Sequence, residues 1–352
     1  MASKTIPMLL DQWAWQKGAN TWEVEAMIKL GNLKLDQQVI IVLLFVAIFI
    51  FFAIWLPGFT SIGNLFTLVR SVSVLGILGL GMAIVVIGRG IDLSMIATLA
   101  VPAALVMTLA AAGYRPEVAI FLGLCFAITV GVVNGILVAY AEIPALFATL
   151  AVGIGVAGIG QSGMFEYDII SWPPQLNVIA WIGRGNIQGV PYSILAFAVA
   201  ALVTHIFLSK TRLGLFIYAI GDNIASARNA GIPVRPIIIL QYVLSASISL
   251  FAGLVMSASS SNMDTRIFNL TWIYDVILVV VLGGIGLSGG RGGVVNVIFG
   301  TMLIGLIVNG MTIMNISFEG QNLIRGLVLL AALLLDSLLN PRNEETAKQG
   351  DI

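Results

Sequence analysis

The sequence predicts an all-α, polytopic membrane protein that crosses the bilayer about ten times, with both termini in the cytoplasm. Three observations predict it. Of 352 residues, 59% are hydrophobic and only 10% charged, with a mean hydropathy of +1.03; soluble domains carry roughly 25% charged residues. The oily residues fall into ten runs: 39–56, 68–88, 91–112, 118–139, 145–163, 190–208, 237–257, 272–288, 294–314 and 323–339. Each approaches the about 20 residues that span a bilayer. Lysine and arginine then fix the orientation. Segments 57–67, 113–117, 164–189, 258–271 and 315–322 hold only Arg115, Arg184 and Arg266 as bases. Segment 209–236 alone holds Lys210, Arg212, Arg228 and Arg235, so it belongs in the cytoplasm with the surroundings of Arg291.

The chain divides into three parts: a cytoplasmic N-terminal tail over 1–38, a transmembrane domain over 39–340 and a cytoplasmic tail over 341–352. In the first, Trp13, Trp15 and Trp22 lie among charges, and 11–30 reads as an interfacial helix or a disordered tail. The first oily run begins only at Val39, too late for a cleavable signal. The second and third runs are separated only by Gly88-Arg-Gly-Ile. One of them is therefore expected to be broken or re-entrant, which membrane depth tolerates only where protein or water shields the backbone. Segment 164–189, with Trp172 and Trp181, reads as an external loop with interfacial aromatics. Leu282-Gly-Gly-Ile-Gly-Leu-Ser-Gly-Gly-Arg-Gly-Gly293 reads as kinked backbone at a cytoplasmic helix end.

Zero net charge argues against nucleic acid as a partner. One cysteine, Cys125, excludes an internal disulfide, and one histidine, His205, excludes a multi-histidine metal cluster. Cys125 is expected to be plain packing. The ionisable residues singled out within spans are Arg70, Arg89, Asp92 and Asp275. Arg89 and Asp92 stand three apart and are expected to pair; Arg70 and Asp275 are expected near membrane surfaces. An ion-coupled carrier needs several buried acids, which this chain does not supply. No Gly-x-x-x-x-Gly-Lys-Ser/Thr phosphate cradle is present. Gly284-Ile-Gly-Leu-Ser-Gly289 has dinucleotide-site spacing, but it follows an oily helix instead of a strand. A transporter with neither engine must draw its energy from a partner.

Segment 210–236 is where such a partner would grip. It contains a short helix, capped by Asp222 or Asn223 and ended by Gly231 and Pro233. Ile224, Ala227 and Gly231 share one small apolar face.

Gly221-Asp-Asn-Ile-Ala-Ser-Ala-Arg-Asn-Ala-Gly-Ile232 resembles the coupling loop of the ribose-type sugar permeases of bacterial ABC importers. Gly90-Ile-Asp-Leu-Ser94, Val132-Val-Asn-Gly-Ile-Leu-Val138 and Val281-Leu-Gly-Gly-Ile-Gly-Leu-Ser-Gly-Gly-Arg-Gly292 resemble further segments of that family, in the same order. Asp222 and Ser226 stand where glycine and alanine are usual, and Ile273 where many members carry glutamate. The resemblance implies a permease domain over 39–340 in the bacterial inner membrane, without enzymatic activity or cofactor. It implies a second permease chain, a cytoplasmic ATP-binding subunit and an external solute-binding protein as partners, in the lipid bilayer. Gly221, Asp222, Asn223, Ser226, Ala227, Arg228 and Gly231 would form the ATPase-coupling loop. Asn134, Gln241, Asn296 and Asn309 are the candidates for the translocation path. A sugar or related polyol is the expected solute; a branched-chain amino acid or nucleoside, or a passive channel or scaffold, are the alternatives.

Overall fold

The computed structural model describes residues 37–165, 168–269 and 272–339. Residues 1–36 of the expected N-terminal tail and the tail expected over 341–352 lie outside the described residues. Compactness divides the chain between Ile40 and Ile41, and the unit from Ile41 onward holds the helical bundle and its connections.

The described residues form twelve α-helices. They are α1 (Gln37–Trp55), α2 (Ile62–Ile87), α3 (Met95–Ala111), α4 (Pro116–Ala139), α5 (Ala145–Ile159), α6 (Tyr192–Lys210), α7 (Arg212–Asp222), α8 (Ile224–Asn229), α9 (Val234–Ser260), α10 (Trp272–Leu282), α11 (Val294–Ile313) and α12 (Phe318–Leu339). Each of the ten oily runs contains one helix. Six helical segments are long and apolar enough to cross a membrane: α2, α4, α5 with its continuation to Ser162, α6, α9 and α11. A π-turn, Gly160–Met164, extends α5. Two apolar helices are shorter than their runs. In α3, the chain reaches helical geometry only at Met95; α10 stops at Leu282, because Gly283 and Gly284 come next and Gly284 takes φ +82°.

Helix α2 has no polar face, and every residue from Leu75 to Ile87 is buried. An apolar helix of that kind belongs inside a bundle; α6, α9, α10 and α11 pack around it. Lipid is as apolar as leucine, so helices in a membrane hold together through close packing and polar contacts. The α4–α9 contact shows how. Gly131 and Gly135, one turn apart, lie against the backbone of Val243 and Ile239; a Cβ on either would sit 2.6 or 2.5 Å from the facing Cα.

Polar contacts gather the connections into two sets. In one, β1 (Ile169–Ser171) pairs antiparallel with β4 (Asn262–Asp264), Arg266 meets Asp168 at 3.3 Å and Asn64 exchanges two 3.0 Å bonds with Asn309. Arg184 donates to the Ala258 carbonyl and lies over the Trp172 ring. Trp172 is therefore buried, unlike the interfacial aromatic expected, whereas Trp181 is exposed. The separate hairpin of β2 (Asn186–Ile187) and β3 (Val190–Pro191) leads into α6. In the other set, Arg235 meets Glu142 at 3.4 Å, and Arg89 reaches Ser288 and Asp222. Cys125 lies exposed on α4, so packing within the chain is not its role.

Gly131→Leu should push α4 off α9. It is expected to destabilise the chain by about 1–3 kcal/mol, read as lower thermal stability in detergent and less protein in the membrane. Gly155→Leu, whose Cβ meets nothing within 4 Å, should leave both unchanged.

Candidate functional site

Two capped helices build the proposed coupling loop. Thr211 starts α7, its hydroxyl accepting the Gly214 N–H at 3.1 Å. Asn223 ends α7 through its N–H to the Ala219 carbonyl and begins α8 by accepting the Ser226 N–H at 2.9 Å. The N-cap is thus Asn223, of the two residues considered, and Asp222 is the last residue of α7. At the other end the Gly231 N–H reaches the Arg228 carbonyl and the Ile232 N–H reaches that of Ala227. That is the paired bonding of a Schellman cap, and Gly231 takes the positive φ it requires, +79°.

The coupling-loop residues divide by exposure. Gly221 and Ala227 are buried. Asp222, Ser226, Arg228 and Gly231 are exposed, and Asn223 is intermediate. Of the small face, Ala227 is turned to the chain's own core and Ile224 is half-buried, whereas Gly231 stays exposed. What α8 presents outward is Ala225, Ser226, Arg228 and Asn229.

Gly221 is the point where this loop touches the rest of the molecule. A Cβ there would lie 1.8 Å from the Ile87 carbonyl oxygen and 2.5 Å from the Gly290 nitrogen. The Gly290 N–H donates to that same Ile87 carbonyl at 2.8 Å. Arg89 adds the side-chain link: Nε donates to the Ser288 carbonyl at 2.8 Å and Nη2 to that of Asp222 at 3.0 Å. Tyr218 closes the assembly by donating to the Gly292 carbonyl at 2.8 Å. Burial pushes the Tyr218 phenol up from its ordinary value, so it stays a donor across the physiological range. Three segments distant in sequence, 87–90, 218–223 and 288–292, therefore meet in one place.

Arg89 does not pair with Asp92, contrary to their spacing. Arg89 sits at φ +65° and points to the loops; Asp92 is fully buried and points into the bundle. The Asp92 carboxylate accepts from the Ser94 N–H (3.0 Å), the Ser94 hydroxyl (2.6 Å) and the Ser245 hydroxyl on α9 (2.7 Å). Asn134 on α4 joins by donating to Ser94 Oγ at 2.7 Å. The pattern had one legible signal: Ser245 and Ser249 are polar residues one turn apart in an oily run.

Of the four path candidates, Asn134, Asn296 and Asn309 hydrogen-bond inside this chain, and Gln241 packs against Gly88. Asn134 and Gln241 are buried, and Asn134 Oδ1 and Gln241 Nε2 have no hydrogen-bond partner among the described residues. Asn296 donates to the Gly283 carbonyl at 2.6 Å, holding the end of α10. Asn309 is occupied by Asn64. Arg70 lies exposed, 3.5 Å from Ser259 Oγ. Asp275 is not isolated at a surface: Arg325 on α12 bonds it at 2.5 Å, with both side chains 15% exposed. Arg325 also donates to Asn322 at 2.6 Å, beside a cleft of about 210 Å³ flanked by Tyr274 and Leu329. The intramembrane residues singled out in the sequence omit Arg325, although it lies inside the tenth run.

Comparison with known proteins makes this helical bundle, with six segments long and apolar enough to cross a membrane, a membrane transport permease and not an enzyme. The chain belongs to the family described as branched-chain amino acid transport system / permease component, whose model matches residues 64–333. It is 30% identical to the ribose import permease protein RbsC of Escherichia coli (strain K12) over 282 residues, 80% of this chain and 88% of that one. It is 31% identical to the galactofuranose transporter permease protein YtfT of the same strain, over 74% of this chain and 76% of that one. Identity to the L-arabinose ABC transporter permease protein AraH of Azospirillum brasilense is 31%, over 84% and 86%. No solved structure matches. These relationships make the chain a multi-pass bacterial inner-membrane protein of the ribose-type carbohydrate permease group.

Proposed function

We propose that this chain forms the translocation path of an ABC importer for a sugar or related polyol. An external binding protein delivers the solute, separate cytoplasmic ATPases drive the cycle, and two permease chains enclose the path. The observation that carries the reading is α8, a six-residue helix capped at both ends, with Ala225, Ser226, Arg228 and Asn229 exposed. A helix this short is unstable alone in water, and its outward face is free to enter a cleft on an ATPase. Gly221, Asp222, Asn223 and Gly231 set its entry and exit, while Ala227 anchors it from within. The sugar reading draws on relatives named for ribose, galactofuranose and L-arabinose. The family description favours a second reading, a branched-chain amino acid.

The same reading has ten crossings with both termini inside. The two sets of connections support it: 57–67, 164–189 and 258–271, assigned outside by the charge bias, contribute to one set, and 209–236, assigned to the cytoplasm, contributes to the other. Of the path candidates, Asn134 and Gln241 each keep an unpartnered amide atom, which a hydroxyl-rich solute would use once the helices part. Asn296 and Asn309 would join the path only by exchanging the bonds they now make.

Two experiments test the proposal. Valine at Gly231 is strongly disfavoured at positive φ, and its side chain would project into space now open to 4 Å. Gly231→Val should reach the membrane in normal amount but lose both uptake and solute-stimulated ATP hydrolysis. Gly231→Asn, which tolerates that conformation, should keep most of both; normal uptake by the valine variant would remove the docking role. For orientation, Ser209→Cys in a Cys125→Ala background should resist impermeant thiol reagents in intact cells, and ready labelling from outside would invert the topology.

A further inference from the structure

The segment from Gly88 to Ser94 leaves helical geometry inside the bundle, yet its polar groups are held. The Arg89 N–H reaches the Val86 carbonyl at 2.9 Å and that of Gly90 the Val85 carbonyl at 2.8 Å. The Leu93 N–H donates to Thr149 Oγ1 on α5 at 3.0 Å. The Ile91 carbonyl lies 3.3 Å from that hydroxyl and 3.5 Å from the Tyr242 hydroxyl on α9. Asp92 bonds Ser245 on α9, and Ser94 bonds Asn134 on α4. This strap has one end on the coupling loop through Arg89 and the other on α4, α5 and α9.

We propose that the 88–94 strap transmits movement of the coupling loop to the helices that enclose the solute path, with Arg89 as the positioning residue at its cytoplasmic end. The proposal rests on the reading of 221–231 as the ATPase-docking loop. Its warrant is the nature of the contacts. Arg89 holds the loops by two bonds to backbone carbonyls, at Asp222 and Ser288, so it follows the path of their main chain whatever their side chains do. Its own backbone sits in the left-handed region, uncommon for a residue with a Cβ, and such outliers persist where surrounding contacts over-determine them. At the far end the bonds go to side chains on three different helices. A displacement of Asp222 that keeps the guanidinium bond must move Arg89, and through Gly90 and Ile91, which belong to no helix, it must move Asp92. Gly88, Asp92 and Ser94 are buried and the residues between them half-buried, so the strap cannot exchange its inner partners for water without cost. It moves with them.

The test uses the assembled transporter, with its ATPase and binding protein, reconstituted in vesicles. The quantity read is solute taken up per ATP hydrolysed. Arg89→Gly accepts the positive φ and removes the whole side chain, guanidinium included. Thr149→Val is nearly isosteric and removes the strap's bond to α5. Both variants should retain the ATPase on purification and continue to hydrolyse ATP. Uptake per ATP should fall by at least about fivefold, the lower edge of ordinary coupling between sites. Arg89→Lys, which keeps the charge but lacks the rigid fork of the guanidinium, should lie between. An unchanged ratio in either variant would overturn the proposal. So would loss of the ATPase in Arg89→Gly with wild-type behaviour in Thr149→Val, because the strap would then only hold the docking loop in shape. Should Arg89→Gly not accumulate, Thr149→Val decides alone. Failure of the docking reading is recognised separately, by normal uptake in Gly231→Val.

Discussion

Backbone that leaves the helix inside a bilayer must find a partner for every N–H and carbonyl it frees, and that constraint shapes this molecule between Gly88 and Ser94. The solution combines short-range turn bonds to Val85 and Val86 with side-chain donors and acceptors from Thr149, Tyr242, Ser94 and Ser245. These partners sit on α5 and α9 and at the start of α3, so satisfying the strap also fixes the spacing of the bundle. The Asp92 carboxylate is the centre of this arrangement. Three hydrogen bonds to it, two from Ser94 and one from Ser245, tie the strap to the start of α3 and to α9.

The same constraint recurs at the Gly-rich turn after α10. There the Gly283 carbonyl is taken by Asn296 and the Gly290 N–H is paired with Ile87. Two breaks in two helices thus cover each other's backbone, and the α7–α8 corner closes over both at Gly221. A surface helix that would otherwise be a detachable ornament is in this way built onto the two interrupted helices. The exposed corner is joined to the buried segments by side chains bonded to backbone carbonyls, Arg89 to Asp222 and Tyr218 to Gly292. The Asp275–Arg325 pair does a similar job between α10 and α12, where a largely buried ion pair resists the loss of either partner.

Local features were readable from the sequence to the extent that they depend on local chemistry. The ten helices within the oily runs, the end of α8 at Gly231 and the break after Ile87 all derive from hydropathy and from glycine and proline. What depends on tertiary partners was not readable. The spacing of Arg89 and Asp92 invites a pair, but a left-handed turn at Arg89 sends the two side chains in opposite directions. Ala227 shares a small apolar face with Gly231, but nothing local says that Ala227 turns toward the core while Gly231 stays exposed. Asp275 finds its counter-charge 50 residues away, a separation at which no periodicity operates. The run 272–288 overstates α10 because leucine and isoleucine continue through glycines that helical geometry does not survive.

The central claim is that the exposed face of α8 is where an ATPase sits, and a contact formed in the native membrane tests it most directly. A photo-reactive benzoylphenylalanine placed at Arg228, which is exposed and contributes no hydrogen-bonding side chain to the fold among the described residues, would be irradiated in intact cells. The account predicts one dominant adduct, between this chain and an ATP-binding subunit, lost when the same group is placed at Ile187 in the β2–β3 hairpin. Adducts confined to lipid, or an ATPase adduct from Ile187 and none from Arg228, would contradict it.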